Sequence, residues 1–384
     1  MKVALLNPVV NGKCGEILRL FPHRSCVTSQ RKEKQVSCGR GVCMQYWASD
    51  YQEGCAPEIL RRLNETNFEQ HPGYGTDVIC EQAKAKIRKA CGREDLDVWF
   101  LVGGTQTNAT VISAILPSWQ GALCAASGHI NCHEAGAPEY CGVKVLTLPG
   151  HDGGKISAAQ VEEAIQAHDN DESADHIIGP GLVYISHPTE YGTLYTLDEL
   201  KALHEVCQRH QIPLFLDGAR LGYALAVPGS PSLQEIAANT DVLYIGGTKV
   251  GALFGEAVVA RKGLLPHFFT QIKQHGALLA KGWLLGLQFD ELFTNDLYLR
   301  LGRNAIEMSD LLKQRFLEKG YAMHPATPTN QTFVVLENGK MEALRKEGVV
   351  FSKWERLDET HTVCRFATSW STTKEQVEAL GKLL

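Results

Sequence analysis

LFLDGARLGYA, Leu214 to Ala224, opens with a short apolar run that ends in Asp217 and turns at once on Gly218. Similar runs lie on both sides of it. Upstream they cover Val98–Val102, Ala122–Ala126, Val143–Leu148 and Leu182–Ser186; downstream, Val242–Ile245 and Ala257–Ala260. Helical periodicity fills several of the gaps, over Pro57–Glu65, Asp77–Cys91, Gln106–Leu116, Leu197–His210 and Leu233–Ala238. Short apolar strands interleaved with helices predict an α/β fold with a mostly parallel sheet covered on both faces. Beyond Pro266 the pattern changes. Long helices are expected over Gln271–Phe293 and Asp296–Lys319, then strands at Thr332–Leu336 and Val363–Thr368 and a closing helix at Lys374–Leu384. Residues 44–265 therefore read as a large domain, and residues 266–384 as linking helices and a small C-terminal α/β domain, a division that 384 residues invite.

Functional groups of open parallel sheets collect at the carboxyl ends of strands, which is where Asp217 falls. Beside a pyridine nitrogen, an aspartate there would keep the nitrogen protonated, because a nearby anion favours the cationic form. A turn aspartate before glycine is the plainer alternative. The next strand enters YIGGTKVGALFGEAVV, Tyr244 to Val259. Lys249 lies there in a largely apolar stretch, and desolvation lowers a lysine pKa and makes the amine nucleophilic. A loop lysine pointing into water is the alternative. WFLVGGTQTNA, Trp99 to Ala109, reads as a strand, a Gly103-Gly104 turn and a helix starting near Thr105. Free N–H groups at a helix start bind phosphate, and Thr105 could both cap the helix and donate to the anion. The stretch is not a P-loop, since no Gly-Lys-Ser/Thr follows, and it lacks the second glycine pair of a dinucleotide fingerprint.

Taken in order, a phosphate cradle, an aspartate and then a lysine after the next strand resemble the fold-type-I pyridoxal-phosphate (PLP) enzymes, those with the aspartate aminotransferase fold. Within them the chain is similar to the threonine aldolase / β-eliminating lyase family. The resemblance runs from about Trp47 over nearly the whole chain. Its most specific pieces are DGARL (Asp217–Leu221), GGTK (Gly246–Lys249) and RFATSW (Arg365–Trp370), beside SDY (Ser49–Tyr51), GYG (Gly73–Gly75) and HINCHE (His129–Glu134). The resemblance implies that Lys249 holds the cofactor as an imine, Asp217 pairs with the pyridine nitrogen and His129 stacks on the ring. Gly104 and Thr105 would hold the phosphate, with Thr248 as an addition and Lys281 reaching a neighbouring subunit's phosphate. Ser49, Arg220 and Arg365 would bind the substrate carboxylate, Arg220 touching the cofactor as well. Tyr74 would lie close to the site, and residues 44–66 would reach its entrance. Arginine's planar fork suits a carboxylate, and Arg365 sits in an apolar strand where an unpaired charge is costly. An internal salt bridge is the alternative for Arg365 and for Arg220.

The activity so implied is retro-aldol cleavage of an L-β-hydroxy-α-amino acid, such as L-threonine or L-allo-threonine, to glycine and an aldehyde. The enzyme would be a homodimer or homotetramer. β-Elimination or transamination on the same scaffold, and PLP binding without catalysis, are the rivals. One position departs from the family. Many of these aldolases carry a second histidine where YISHPTEYGTLY, Tyr184 to Tyr195, places Glu190, with His187 three residues earlier. A glutamate whose pKa burial raised could take the substrate hydroxyl proton; a water or His129 could do so instead.

A net charge of -5 argues against nucleic acid or an anionic membrane as the main partner, and no apolar stretch is long enough to span a bilayer. Twelve scattered cysteines, several in apolar runs, read as free thiols of a reducing compartment, the cytoplasm. HINCHE lacks the His-Glu-x-x-His spacing and any partner cysteine pair, so no metal is expected. Asn-x-Thr triplets begin at Asn64, Asn108 and Asn330 and read as chance matches. Residues 1–43 are rich in Lys, Arg, Cys and Ser and lack sustained periodicity. They read as a poorly ordered extension or the result of a start codon upstream of Met44, with a transit peptide as the alternative.

Overall fold

A computed structural model describes residues 44–384, so the expectation for residues 1–43 lies outside the described residues. The strands are β1 (Gln45–Tyr46), β2 (Asp97–Leu101), β3 (Gln120–Ala125), β4 (Lys144–Leu148), β5 (Gly179–Ser186), β6 (Leu214–Asp217), β7 (Val242–Gly246), β8 (Glu256–Ala260), β9 (Gln331–Glu337), β10 (Val349–Val350), β11 (Ser352–Arg356) and β12 (His361–Ala367). Seven of them form one sheet in the order β2-β8-β7-β6-β5-β3-β4. The run from β7 to β4 is parallel, and β8 alone is antiparallel to both of its neighbours.

Every residue of β6 and β7 is buried. Alternate side chains of a strand point to opposite faces. Leu214, Leu216, Leu243 and Ile245 thus enter one hydrophobic cluster, while Phe215, Val242 and Tyr244 enter another on the opposite face. Burying each such large apolar side chain contributes about 1.5–3 kcal/mol. Helices cover both faces, and their starts are chemically marked. The Asp77 carboxylate caps the helix Val78–Cys91, and Ser157, Thr196, Ser232 and Thr373 each close a capping box.

The expected helix Gln271–Phe293 is two helices, Phe268–Gln274 and Trp283–Leu292. Gly276, at φ +68°, ends the first in the left-handed region. Gly282 then packs against the Gly75 backbone so closely that a Cβ there would lie 2.6 Å from Gly75 N.

Strands β11, β12 and β9 form an antiparallel sheet, and β1 pairs in parallel with β10. Trp47, 3% exposed, packs in a separate core with Leu312, Phe316, Val334 and Phe366. The sequence placed residues 44–66 with the large domain, whereas β1 and Trp47 pack with the C-terminal elements. The backbone explains this: Trp47 N–H donates to Val350 O and Ala367 N–H to Trp47 O. Among the described residues no helix is long and apolar enough to cross a membrane. Asn108 and Asn330 are fully buried and so out of reach of a glycosylating enzyme.

Candidate active site

Strands β6 and β7 deliver their ends side by side. A Cβ on Gly218 would lie 2.0 Å from Tyr244 O, and one on Gly246 would lie 2.4 Å from Ala219 O. Only glycine permits this approach, which accounts for both residues in DGARL and GGTK. Lys249 sits in the connection from β7 to β8. That connection is tied down by Gly247 N–H and Thr248 N–H donating to Gly255 O, and by the Tyr223 hydroxyl donating to Lys249 O. Gly247 N–H also donates to the buried Glu256 carboxylate at 3.1 Å. The Thr248 hydroxyl accepts from Gly255 N–H at 3.0 Å. Thr248, expected as an extra phosphate ligand, thus braces the turn through its hydroxyl oxygen.

The Lys249 amine faces a cavity of about 1020 Å³ whose wall also includes Tyr51, His129, Glu190, Arg220 and Arg365. Its pKa falls to about 8, first because it is desolvated and then because Arg220 is near, against the opposing pull of Asp50 and Asp217.

Asp217, the last residue of β6, is 4% exposed. Its Oδ1 accepts from Tyr244 OH at 2.5 Å and Ala219 N–H at 3.0 Å; its Oδ2 accepts from Tyr184 OH at 2.5 Å and Asn108 Nδ2 at 2.9 Å. Burial pushes the carboxyl up, but His129 beside it and the two tyrosine hydroxyls outweigh burial and hold it below the usual range. Asn108 Nδ2 also donates to Glu134 at 2.7 Å, and Glu134 pairs with His129 Nδ1 at 2.7 Å. His129, Glu134 and Asp217 each bring a ligand-type atom within 4.8 Å of the others. Asn108, bonded to both carboxylates, accounts for that closeness. Cys132 and His133 of HINCHE are not in this group, although both line the cavity.

The helix Gly104–Ile115 starts beside this network: a Cβ on Gly104 would meet Tyr244 OH at 3.1 Å. Gly103 is its N-cap and provides no side chain to cap it; the first intrahelical bond runs from Thr107 N–H to Gly103 O. The N–H groups of Gly104, Thr105 and Gln106 precede that bond and have no acceptor within the helix. Thr105 is exposed at the second helical position, so it does not cap the helix, because the helix begins two residues earlier than the expected Gln106.

Arg365 donates to Ala48 O at 3.0 Å and Gln331 Oε1 at 3.2 Å, and its guanidinium lies 5.1 Å from the Trp354 ring centre. Its Nε is buried without a partner. Burial, then the nearby Arg220, lowers its pKa to about 10. Arg220 places Nε and Nη2 on the two oxygens of Asp50, at 2.7 and 3.0 Å. The internal ion pair weighed for both arginines therefore exists at Arg220, which still lines the cavity. Glu190 is 9% exposed and accepts from Ser186 Oγ at 2.7 Å. Burial raises its pKa against that hydrogen bond.

Ser49, Tyr74 and Lys281, like Gly104, Thr105, Asp217 and Thr248, are outside the lining of the cavity. Ser49 is half-buried next to Asp50 and outside the lining. Tyr74, 44% exposed at φ +64°, lines a separate cavity of about 470 Å³, with the Lys273 amine 4.6 Å above its ring. The GYG turn carries it there, where its N–H bonds Ala280 O. Lys281, the next residue, is exposed. Conversely, Asn108, Glu134, Tyr184, Tyr244, Asp50 and Glu256 enter the site or its support with no role assigned from sequence. The available signal was polar groups inside otherwise apolar strands, such as Tyr184 and Tyr244, whose buried hydroxyls need partners.

These groups fit pyridoxal phosphate: a nucleophilic amine, a buried anion, a histidine facing the same cavity and free N–H groups at a helix start. The orphaned Arg365 Nε fits the carboxylate of an amino acid. Fold and site define a PLP-dependent enzyme with the aspartate aminotransferase fold. At the level of fold, the solved aspartate aminotransferase of Thermus thermophilus covers 89% of the chain and 92% of its own length, with a TM-score of 0.66 at 15% identity. The sequence model for the β-eliminating lyase family matches residues 48–338. A low specificity L-threonine aldolase of Pseudomonas sp. (strain NCIMB 10558) is 31% identical over 343 residues, 88% of this chain and 96% of the relative. The solved threonine aldolase of Leishmania major is 39% identical with a TM-score of 0.84, covering 88% of this chain and 99% of that one. The chain belongs to the β-eliminating lyase family.

Proposed function

We propose that this protein cleaves L-β-hydroxy-α-amino acids, L-threonine and L-allo-threonine among them, to glycine and an aldehyde. The convergence of Lys249, His129, Glu190 and Arg365 on one cavity carries this conclusion. The names of the Pseudomonas and Leishmania relatives support it.

Lys249 would hold the cofactor, Asp217 would face its ring nitrogen and His129 would lie against its ring. The N–H groups of Gly104 and Thr105 would hold its phosphate. When bound, pyridoxal phosphate supplies the electron sink for the pair released from the broken bond. The Arg365 guanidinium donates to the substrate carboxylate and so orients the bonds at Cα. Ionised Glu190 accepts the β-hydroxyl proton as the Cα–Cβ bond breaks and the aldehyde departs. Once its amine is free, Lys249, with a pKa near 8, would give a proton to Cα to complete glycine.

The domain division at residues 265–266 belongs to the same proposal, with β1 and Trp47 packed on the small domain. So do a homodimer or homotetramer and a cytoplasmic location. Lys281 and Tyr74, both outside the lining of this chain's cavity, suit a contribution to a neighbouring chain's site. The eight cysteines of the described residues, all free, suit a reducing compartment. A substrate panel tests the reaction: glycine and aldehyde should form in equal amounts. Release of ammonia and a keto acid in their place would establish β-elimination.

A further inference from the structure

Trp47–Tyr51 holds both cavity arginines at once. Trp47 anchors the segment in the core beneath β12. Ala48 O accepts from Arg365 Nη2 and from Ser352 Oγ, each at 3.0 Å. Asp50, fully buried, accepts from Arg220 Nε and Nη2 and from Asn330 Nδ2 at 2.9 Å. Asn330 Nδ2 in turn donates to Thr368 O at 2.8 Å, just beyond β12. Tyr51 then enters the cavity wall. Arg220 follows β6 of the seven-stranded sheet, whereas Arg365 belongs to β12 of the three-stranded sheet. One short segment thus sets the relative position of two guanidinium groups carried by different sheets.

We infer that Asp50 is a positioning residue for substrate recognition, fixing the plane of Arg220 so that Arg220 and Arg365 converge on one carboxylate. The inference rests on the amino-acid-binding role proposed above. Two parallel charge-assisted bonds fix a guanidinium in plane as well as in place. Arg220, Arg365, Lys249 and Lys353 bring four cations to the cavity, and Asp50 is bonded to the first of them. Without it, Arg220 would be a buried charge lacking its partner, free to swing away from the ligand. Asp50 leaves Nη1 of Arg220 uncommitted and so shapes the pocket without closing it.

The test uses the full chain loaded with pyridoxal phosphate and compares Asp50→Asn with wild type. Glycine, which has a carboxylate and no bond to cleave, is titrated by the change in visible absorbance; KM and kcat for L-threonine and the Kd for pyridoxal phosphate are measured alongside. Asp50→Asn should weaken glycine binding and raise KM about tenfold or more, with kcat within about threefold. The cofactor Kd should stay within about threefold of wild type, because a general loss of structure would weaken cofactor and glycine together. If Asp50→Asn does not fold, Asn330→Ala decides instead. It removes one bond to Asp50 while leaving the ion pair, and should weaken glycine binding about threefold. Glycine binding at wild-type strength or tighter in the folded variant overturns the inference. A wild-type protein that binds glycine but releases no aldehyde would sink the aldolase proposal while the glycine comparison still decides the role of Asp50.

Discussion

Replacing Glu190 with Gln isolates the step at which this chain departs from the family pattern. Gln keeps the size of the side chain and an oxygen for the Ser186 hydroxyl, now bonded at 2.7 Å, but it cannot take up a proton. Removing a positioned general base costs about 10²–10⁴-fold in rate, about 3–5 kcal/mol of barrier. The carboxylate-binding groups are untouched, so KM should stay within about threefold. Stability should hold or rise, because burial already opposes ionisation of Glu190. The pH profile adds a second signature. A base works only when ionised, so wild-type kcat should fall as pH drops through the raised pKa of Glu190, above the ordinary carboxylate range. That limb should vanish in Glu190→Gln. The assay is steady-state cleavage of L-threonine from pH 5 to 9, with acetaldehyde followed by coupled reduction. A variant within threefold of wild-type kcat, with an unchanged pH profile, would show that another group takes the proton.

Tyr244→Phe removes one of the two short bonds to Asp217 and should cost about 1–3 kcal/mol of stability in a urea melt. It should also raise the Asp217 pKa, which a pH titration of the bound cofactor's absorbance would register. His187, buried and held neutral with a pKa lowered to about 4, predicts acid lability. The unfolded chain takes up a proton near pH 6.5 that the folded chain refuses until about pH 4, so stability is lost as pH falls between those values. At pH 5 the loss is about 2 kcal/mol, and His187→Leu should remove it when urea melts at pH 7 and pH 5 are compared.

Much of the sheet was legible because its strands are short, continuously apolar runs, and the DGARL and GGTK glycines marked where two strand ends meet. The antiparallel direction of β8 was not, since Ala257–Ala260 is equally apolar in either direction. The break between Gln274 and Trp283 was hidden because its cause, the approach of Gly282 to Gly75, is a contact between distant residues. The same distinction separates the site residues. Asp217 and Lys249 sit in local motifs at strand ends; Lys249 lines the cavity, and Asp217 lies behind its wall beside His129. Asn108 bonds Asp217 across 109 positions, and Asn330 bonds Asp50 across 280. No periodicity encodes such pairs. Tyr74 went the other way: a motif with a family likeness turned out to face a different cavity.

The amine of Lys249 is the central claim, and its removal is the most direct test. The wild-type chain loaded with pyridoxal phosphate should show the visible absorbance of a lysine-bound cofactor and yield one glycine and one acetaldehyde per L-threonine consumed. Lys249→Ala, folded to the same extent by circular dichroism, should lack both the absorbance and the turnover. Turnover at the wild-type rate in that variant would contradict the account.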